Sequence, residues 1–114
     1  MGTEESGTEK HSIEKRRFPR YQVGLAIELR PEGAPAPSRT QTSEVSLGGC
    51  YVETNFTLAL GTKLHVNFWV HDEKLSTDAM IVTNHPGFGN GMRFENLSRE
   101  DLEKLKRFLD TLEP

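Results

Sequence analysis

The residues best equipped for chemistry fall in two short stretches. The first is KRRFPRY, positions 15–21, which sets Arg16, Arg17 and Arg20 beside Lys15; the second is SEVSLGG, positions 43–49, with Glu44, Ser46, Gly48 and Gly49. Planar guanidinium groups meet phosphate oxygens through paired hydrogen bonds, and they meet the O6 and N7 edge of guanine equally well. A carboxylate accepts from the N1 and N2 protons of that base. A serine hydroxyl adds a donor and acceptor, and bare glycine backbone can bend sharply or approach a ligand closely. Together the two stretches suit a guanine nucleotide with its phosphates. Apart, each has an ordinary reading: the basic run as a solvated segment, the Ser/Gly run as a strand-end turn or bulge.

The elements between them decide whether they meet. Val23, Leu25, Ile27 and Leu29 alternate with Gly24, Ala26, Glu28 and Arg30, the period of a strand with one buried face. PEGAPAP, positions 31–37, ends it as a turn, because proline removes ladder donors. Positions 38–46 read as a second strand from their flanking turn signals. A hairpin around that turn, with 30 opposite 38, puts Arg20 opposite residue 48 and so beside SEVSLGG. Later strands are expected over Leu64–Val70, over 75–83 after the turn HDEK, and around Met92 and Phe94 after a glycine-rich connection HPGFGNG. Ser98 followed by Asp101 has the spacing of a helix cap, and Leu102, Leu105, Leu109 and Leu112 share one helical face with Phe108 beside them, so a helix over 99–112 packs on the strands. Its polar face suits pairs such as Glu103 with Arg107. Phe18 and Tyr21 anchor the basic arm to the strands, while Trp69 either lines a partner surface or lies under the helix.

Composition bounds the function. The chain has 114 residues, room for one modest core, and a net charge of −3. Its first twenty residues carry five cations against four carboxylates, so the acidic excess lies downstream. That balance disfavours a general nucleic-acid binder, and any anion site must be local. One cysteine, Cys50, excludes an internal disulfide framework, and it reads as a small buried hydrophobe. His11, His65, His71 and His85 are too scattered for a metal site; His65 and His71, on one strand face, stand roughly 20 Å apart at about 3.3 Å per residue. No acid/base pair or nucleophile triad is visible, so no enzymatic activity and no catalytic residues are expected. No apolar run reaches the roughly 20 residues of a membrane span, and a soluble, cytoplasmic chain without a targeting segment is expected. Residues 1–14, poor in apolar groups, read as a flexible tail.

RRFPR at 16–20, followed by EVSLGG at 44–49, resembles the paired RxxxR and (D/N)xSxxG motifs of PilZ domains. GMRFENLSREDLEKLKRFL, from Gly91, looks like the closing strand and helix of that family, and the resemblance covers about residues 14–112. It implies an all-β fold, a six-stranded antiparallel barrel with a C-terminal α-helix and a flexible N-terminal arm, as one domain over 15–112. Many PilZ domains are bacterial receptors for cyclic di-GMP. By that resemblance Arg16 and Arg20 hold guanine Hoogsteen edges and phosphates, Arg17 and Lys15 add contacts, and Glu44, Ser46 and Gly49 bind a guanine from the barrel side. The ligand orders the arm and presents a new face to an unidentified protein partner; no metal, further cofactor, nucleic acid or membrane insertion is implied. One departure stands out, since the family usually has Asp or Asn where this chain has Glu44. The extra methylene shifts the carboxylate and adds a rotamer to freeze, against a contact of roughly 1–3 kcal/mol. The alternative reading is therefore a PilZ adaptor that binds proteins and no cyclic di-GMP.

Overall fold

Six antiparallel strands close on themselves in the order β1-β2-β3-β6-β5-β4, with β4 pairing back to β1. The computed structural model describes residues 18–113. Its strands are β1 (Ala26–Pro31), β2 (Ser38–Val45), β3 (Gly49–Glu53), β4 (Lys63–Val70), β5 (Glu73–His85) and β6 (Gly89–Phe94), and they are followed by the helix α1 (Arg99–Asp110). Closure satisfies every ladder and leaves no open sheet edge. This is the barrel and terminal helix that the family resemblance implied. The arm over 1–14, with Lys15, Arg16 and Arg17, lies outside the described residues.

The expected alternation is what fills the barrel. Ile27 and Leu29 from β1, Val66 and Phe68 from β4, and Leu75 and Ile81 from β5 all point inward and are almost wholly buried. Leu105 and Leu109 from α1 join the same core, with Phe108 and Leu112 at its margin. The Phe94 ring stacks on Phe68 at a centroid distance of 5.3 Å. Ser98 caps α1 by accepting the Asp101 N–H at 3.0 Å. The helix differs from expectation in two details: Leu102 is 38% exposed, and the i, i+4 ion pairs are Glu100 with Lys104 and Lys106 with Asp110 instead of Glu103 with Arg107. Trp69 is half-buried on the outer barrel face, opposite Lys74.

Three expectations about the strands need correction. First, β3 carries no long apolar run, so periodicity did not single it out; only Cys50 and Val52 turn inward from it. Second, HPGFGNG is a turn only as far as Phe88, and Gly89, Asn90 and Gly91 are already strand. Glycine is needed there because a Cβ on Gly89 would stand 2.4 Å from the Val52 carbonyl. Asn90, fully buried, accepts the Leu58 N–H at 2.8 Å and donates to the Phe56 carbonyl at 3.2 Å, which fixes the long β3–β4 connection across the barrel end.

Third, the β1–β2 register is shifted. Ala26 pairs with Gln41 and Leu29 with Ser38, one residue from the simple hairpin count. Further along, Tyr21 pairs with Val45, a second slip in the same direction. Thr42 bridges the irregularity: its Oγ1 accepts the Leu25 N–H at 2.8 Å and donates to the Val23 carbonyl at 2.7 Å. Thr42→Val keeps the shape and deletes both bonds, leaving a buried donor and acceptor. We expect it to lower stability by about 1–3 kcal/mol. A urea melt reads this directly, and an unchanged midpoint would remove the bridge from the account.

Candidate functional site

The incoming chain is held to the barrel by backbone first. Tyr21 and Val45 exchange two hydrogen bonds, each of 2.9 Å. Because Val45 points into the core, its neighbours Glu44 and Ser46 must point outward, and Arg20 falls on that same outer face. The Arg20 Nη1 stands 3.7 Å from Glu44 Oε1, with both groups well exposed to water. The register thus places Arg20 next to Ser46 instead of opposite residue 48, where the hairpin count put it. The two slips together move the pairing by two residues, so the face is preserved even though the partner changes.

Residues 46–49 form the tight connection from β2 to β3. The Ser46 N–H donates to the Gly49 carbonyl at 2.8 Å, and the Ser46 Oγ accepts the Gly48 N–H at 3.1 Å. The Gly48 carbonyl accepts the Phe94 N–H at 2.8 Å, tying the turn to β6. The two glycines have different reasons to be there. A Cβ on Gly48 would lie 2.9 Å from the Phe18 ring, so the ring covers the turn at this point. A Cβ on Gly49 would lie 2.0 Å from the Met92 carbonyl, where β3 and β6 approach each other. The barrel itself therefore requires a bare backbone at Gly49.

Of the residues singled out in the sequence, Arg20, Glu44, Ser46, Gly48 and Gly49 are brought together at one end of β2. Arg16 and Arg17 lie outside the described residues. Two neighbours escaped the sequence reading. Arg93 sits across from Gly49 on β6 and turns its guanidinium to Glu95 at 3.3 Å. Tyr51 sits directly across from Glu44 on β3. Strand parity counted from Gly49 was the signal for Tyr51, and it required β3 to be recognised.

The chemistry available here is ionic and hydrogen-bonding. Burial pushes the Cys50 thiol up to about 12, so it stays protonated and is no nucleophile. Among the described residues no cluster of three or more histidine, cysteine or acidic side chains could hold a metal ion. No helix among them is long and apolar enough to cross a membrane. A separate cleft of about 640 Å³ is lined by Arg30, Lys63, His65, Asp78 and Glu95, with Lys63 paired to Glu95 and His65 to Asp78. There the His65 hydrogen bond leads in lowering the Asp78 carboxyl, and Lys63 does the same for Glu95.

Comparison with known proteins agrees with this fold. The family description PilZ domain matches residues 14–111. No curated protein matches the sequence. Among solved structures, the Bacillus subtilis inhibitor of motility MotI/DgrA superposes with a TM-score of 0.69 at 18% identity, covering 84% of this chain and 50% of that one. This chain therefore spans about half of that structure. The PilZ domain of YcgR from Escherichia coli, solved with c-di-GMP, gives 0.68 at 16% identity over 86% of this chain and 91% of that one. The PilZ domain of CeSA from a cellulose-synthesizing bacterium gives 0.65 at 16% identity, covering 82% and 96% respectively.

Proposed function

The chain belongs to the PilZ domain family, and from that premise we propose that it is a receptor for cyclic di-GMP that signals to a partner protein. The observation that carries the proposal is the meeting of Arg20 with Glu44 over the Ser46–Gly49 turn, 3.7 Å apart although 24 positions separate them in the chain. Arg20, with Arg16 and Arg17 ahead of it, supplies donors to phosphates and to a guanine edge. Glu44 and Ser46 supply acceptors from the barrel side, with Gly49 closing the turn beside them. The YcgR domain, solved with c-di-GMP, supports this choice of ligand.

The mechanism is a switch in which no bond is made or broken. In the free protein Arg20 is paired with Glu44, and both side chains remain partly exposed to water. A dianionic ligand offers Arg20 a stronger, two-pronged partner and frees the carboxylate for the base protons. Drawing the residues ahead of Phe18 onto the barrel costs about 1–2 kcal/mol for each one fixed, so the phosphate contacts must exceed that sum. The arm drawn onto the barrel by the ligand is the surface offered to a partner, and a partner that prefers the liganded form shifts the equilibrium further.

The same ion pair favours a second reading. Glu44 reaches Arg20 and occupies both groups, which suits an adaptor that binds proteins and no nucleotide. Isothermal titration of the chain with cyclic di-GMP separates the two. The receptor reading expects saturable binding by the native chain, and affinity retained or tightened in Glu44→Asp, whose shorter arm releases Arg20. No heat from either protein at high ligand concentration selects the adaptor.

A further inference from the structure

Tyr51 is a large aromatic directly across from Glu44 that the ligand scheme above does not use, and its ring is fixed by its neighbours. On β3, Cys50 and Val52 turn inward, so Tyr51 faces out; its strand partners are Glu44 on β2 and Gly91 on β6. The ring leans away from β2 and lies over β6. A Cβ on Gly89 would come within 2.8 Å of its Cε1 and 2.9 Å of its hydroxyl, and one on Gly91 within 3.4 Å of its Cδ2. A side chain at Gly89 would collide with the ring, while at Gly91 the spacing to the ring is that of ordinary van der Waals contact. At its far end the hydroxyl meets His85 Nδ1 at 2.8 Å. The ring is thus held by backbone beneath and by a histidine at its tip. Tyr51 also lines an open cleft of about 530 Å³ with Glu53, Thr54, Asn55, Gly87 and Phe88.

We propose that Tyr51 is a further ligand-contact residue, its ring serving as the floor on which a guanine of the bound dinucleotide stacks beside Glu44. This rests on the receptor reading above. A flat ring already fixed in place loses little freedom when a base lands on it, and stacking asks only for a π-face. It complements Glu44 and Arg20, which grip the edges of a base and leave its faces bare. Without such a floor a guanine held at its edges on an open barrel wall would keep both faces in water.

Three measurements with cyclic di-GMP test this on the full chain. In the native protein, intermolecular nuclear Overhauser contacts are expected between the Tyr51 ring protons and a guanine H8, with that H8 shifted upfield by the ring current. Tyr51→Phe keeps the ring and loses the His85 bond, so it should bind within about fivefold of native and keep the upfield H8, because stacking outweighs one exposed hydrogen bond. Tyr51→Leu keeps apolar bulk without a π-face, and its affinity should fall about 5- to 100-fold, with the H8 shift gone. Native affinity and an unmoved H8 in Tyr51→Leu would overturn the proposal while leaving the receptor reading in place. Should Tyr51→Leu fail to fold, absence of the ring-to-H8 contacts in the native complex has the same force. Failure of the native chain to bind at all overturns both.

Discussion

Arg20→Ala is expected to lose cyclic di-GMP binding while melting at the native temperature. The loss follows from what the guanidinium supplies and no other described residue beside the turn replaces. It meets the outer face of β2 at Glu44, whereas the guanidinium of Arg93, the other cation beside the turn, is turned to Glu95. One bidentate arginine contact to guanine is worth roughly 1–3 kcal/mol, and a charge-assisted contact to phosphate lies at the strong end of ordinary hydrogen bonds. Removing both places affinity at least about 100-fold below native, by the tenfold-per-1.4 kcal/mol conversion. Stability is another matter. The Arg20–Glu44 pair is 53% and 36% exposed at 3.7 Å, and such pairs contribute about 0–1 kcal/mol. Titration calorimetry and a thermal melt on one preparation check both halves. Unchanged affinity would take Arg20 out of the site, and a collapse of the melting temperature would make it a structural residue.

Gly49→Ala should do the reverse and damage the fold itself. The new methyl carbon would start 2.0 Å from the Met92 carbonyl oxygen, with the Met92 carbonyl carbon and the Arg93 Cα close behind. All three are backbone atoms of β6, so no side chain can rotate aside, and the β3–β6 ladder must part. Overpacking in a core typically costs about 1–3 kcal/mol, and a backbone obstacle belongs at or above the top of that range. For a domain of this size about 3 kcal/mol corresponds to a melting temperature lower by roughly 12–24 °C. Gly48→Ala is the control. The three atoms nearest its methyl all belong to the Phe18 side chain and none is backbone, so stability should hold within about 1 kcal/mol. Equal losses in the two variants would mean that the close approach of β3 and β6 is not what selects glycine at 49.

The contrast between the two glycines marks where reading a sequence runs out. Both stand in one motif, and both looked like places for backbone to bend or meet a ligand. Only the packed barrel separates them, because Arg93 of β6 lies 44 positions downstream of Gly49 and sits against it through a closure that no local pattern encodes. The strand β3 was missed for a related reason. Its five residues bury only two aliphatic-sized side chains, too few to stand out as an alternation, and its identity as a strand comes from neighbours on both sides. Tyr51 was missed with it.

What the chain determines by itself is substantial: the alternating faces of β1 and β4, the turn after Pro31, the Ser98-capped helix, and the two motif halves whose residue types match one ligand. These are local properties, set by side-chain period, proline and glycine, and they hold whatever the rest of the molecule does. The tertiary structure decided the register. The turn offset the β1–β2 pairs by one residue and the irregularity around Thr42 added a second, so Arg20 lies beside Ser46 instead of opposite Gly48 and keeps the outward face that a one-residue offset alone would have reversed. Register depends on where the whole barrel closes, a sum over strands far apart in sequence. Closure is therefore what turned two nearby motifs into one surface.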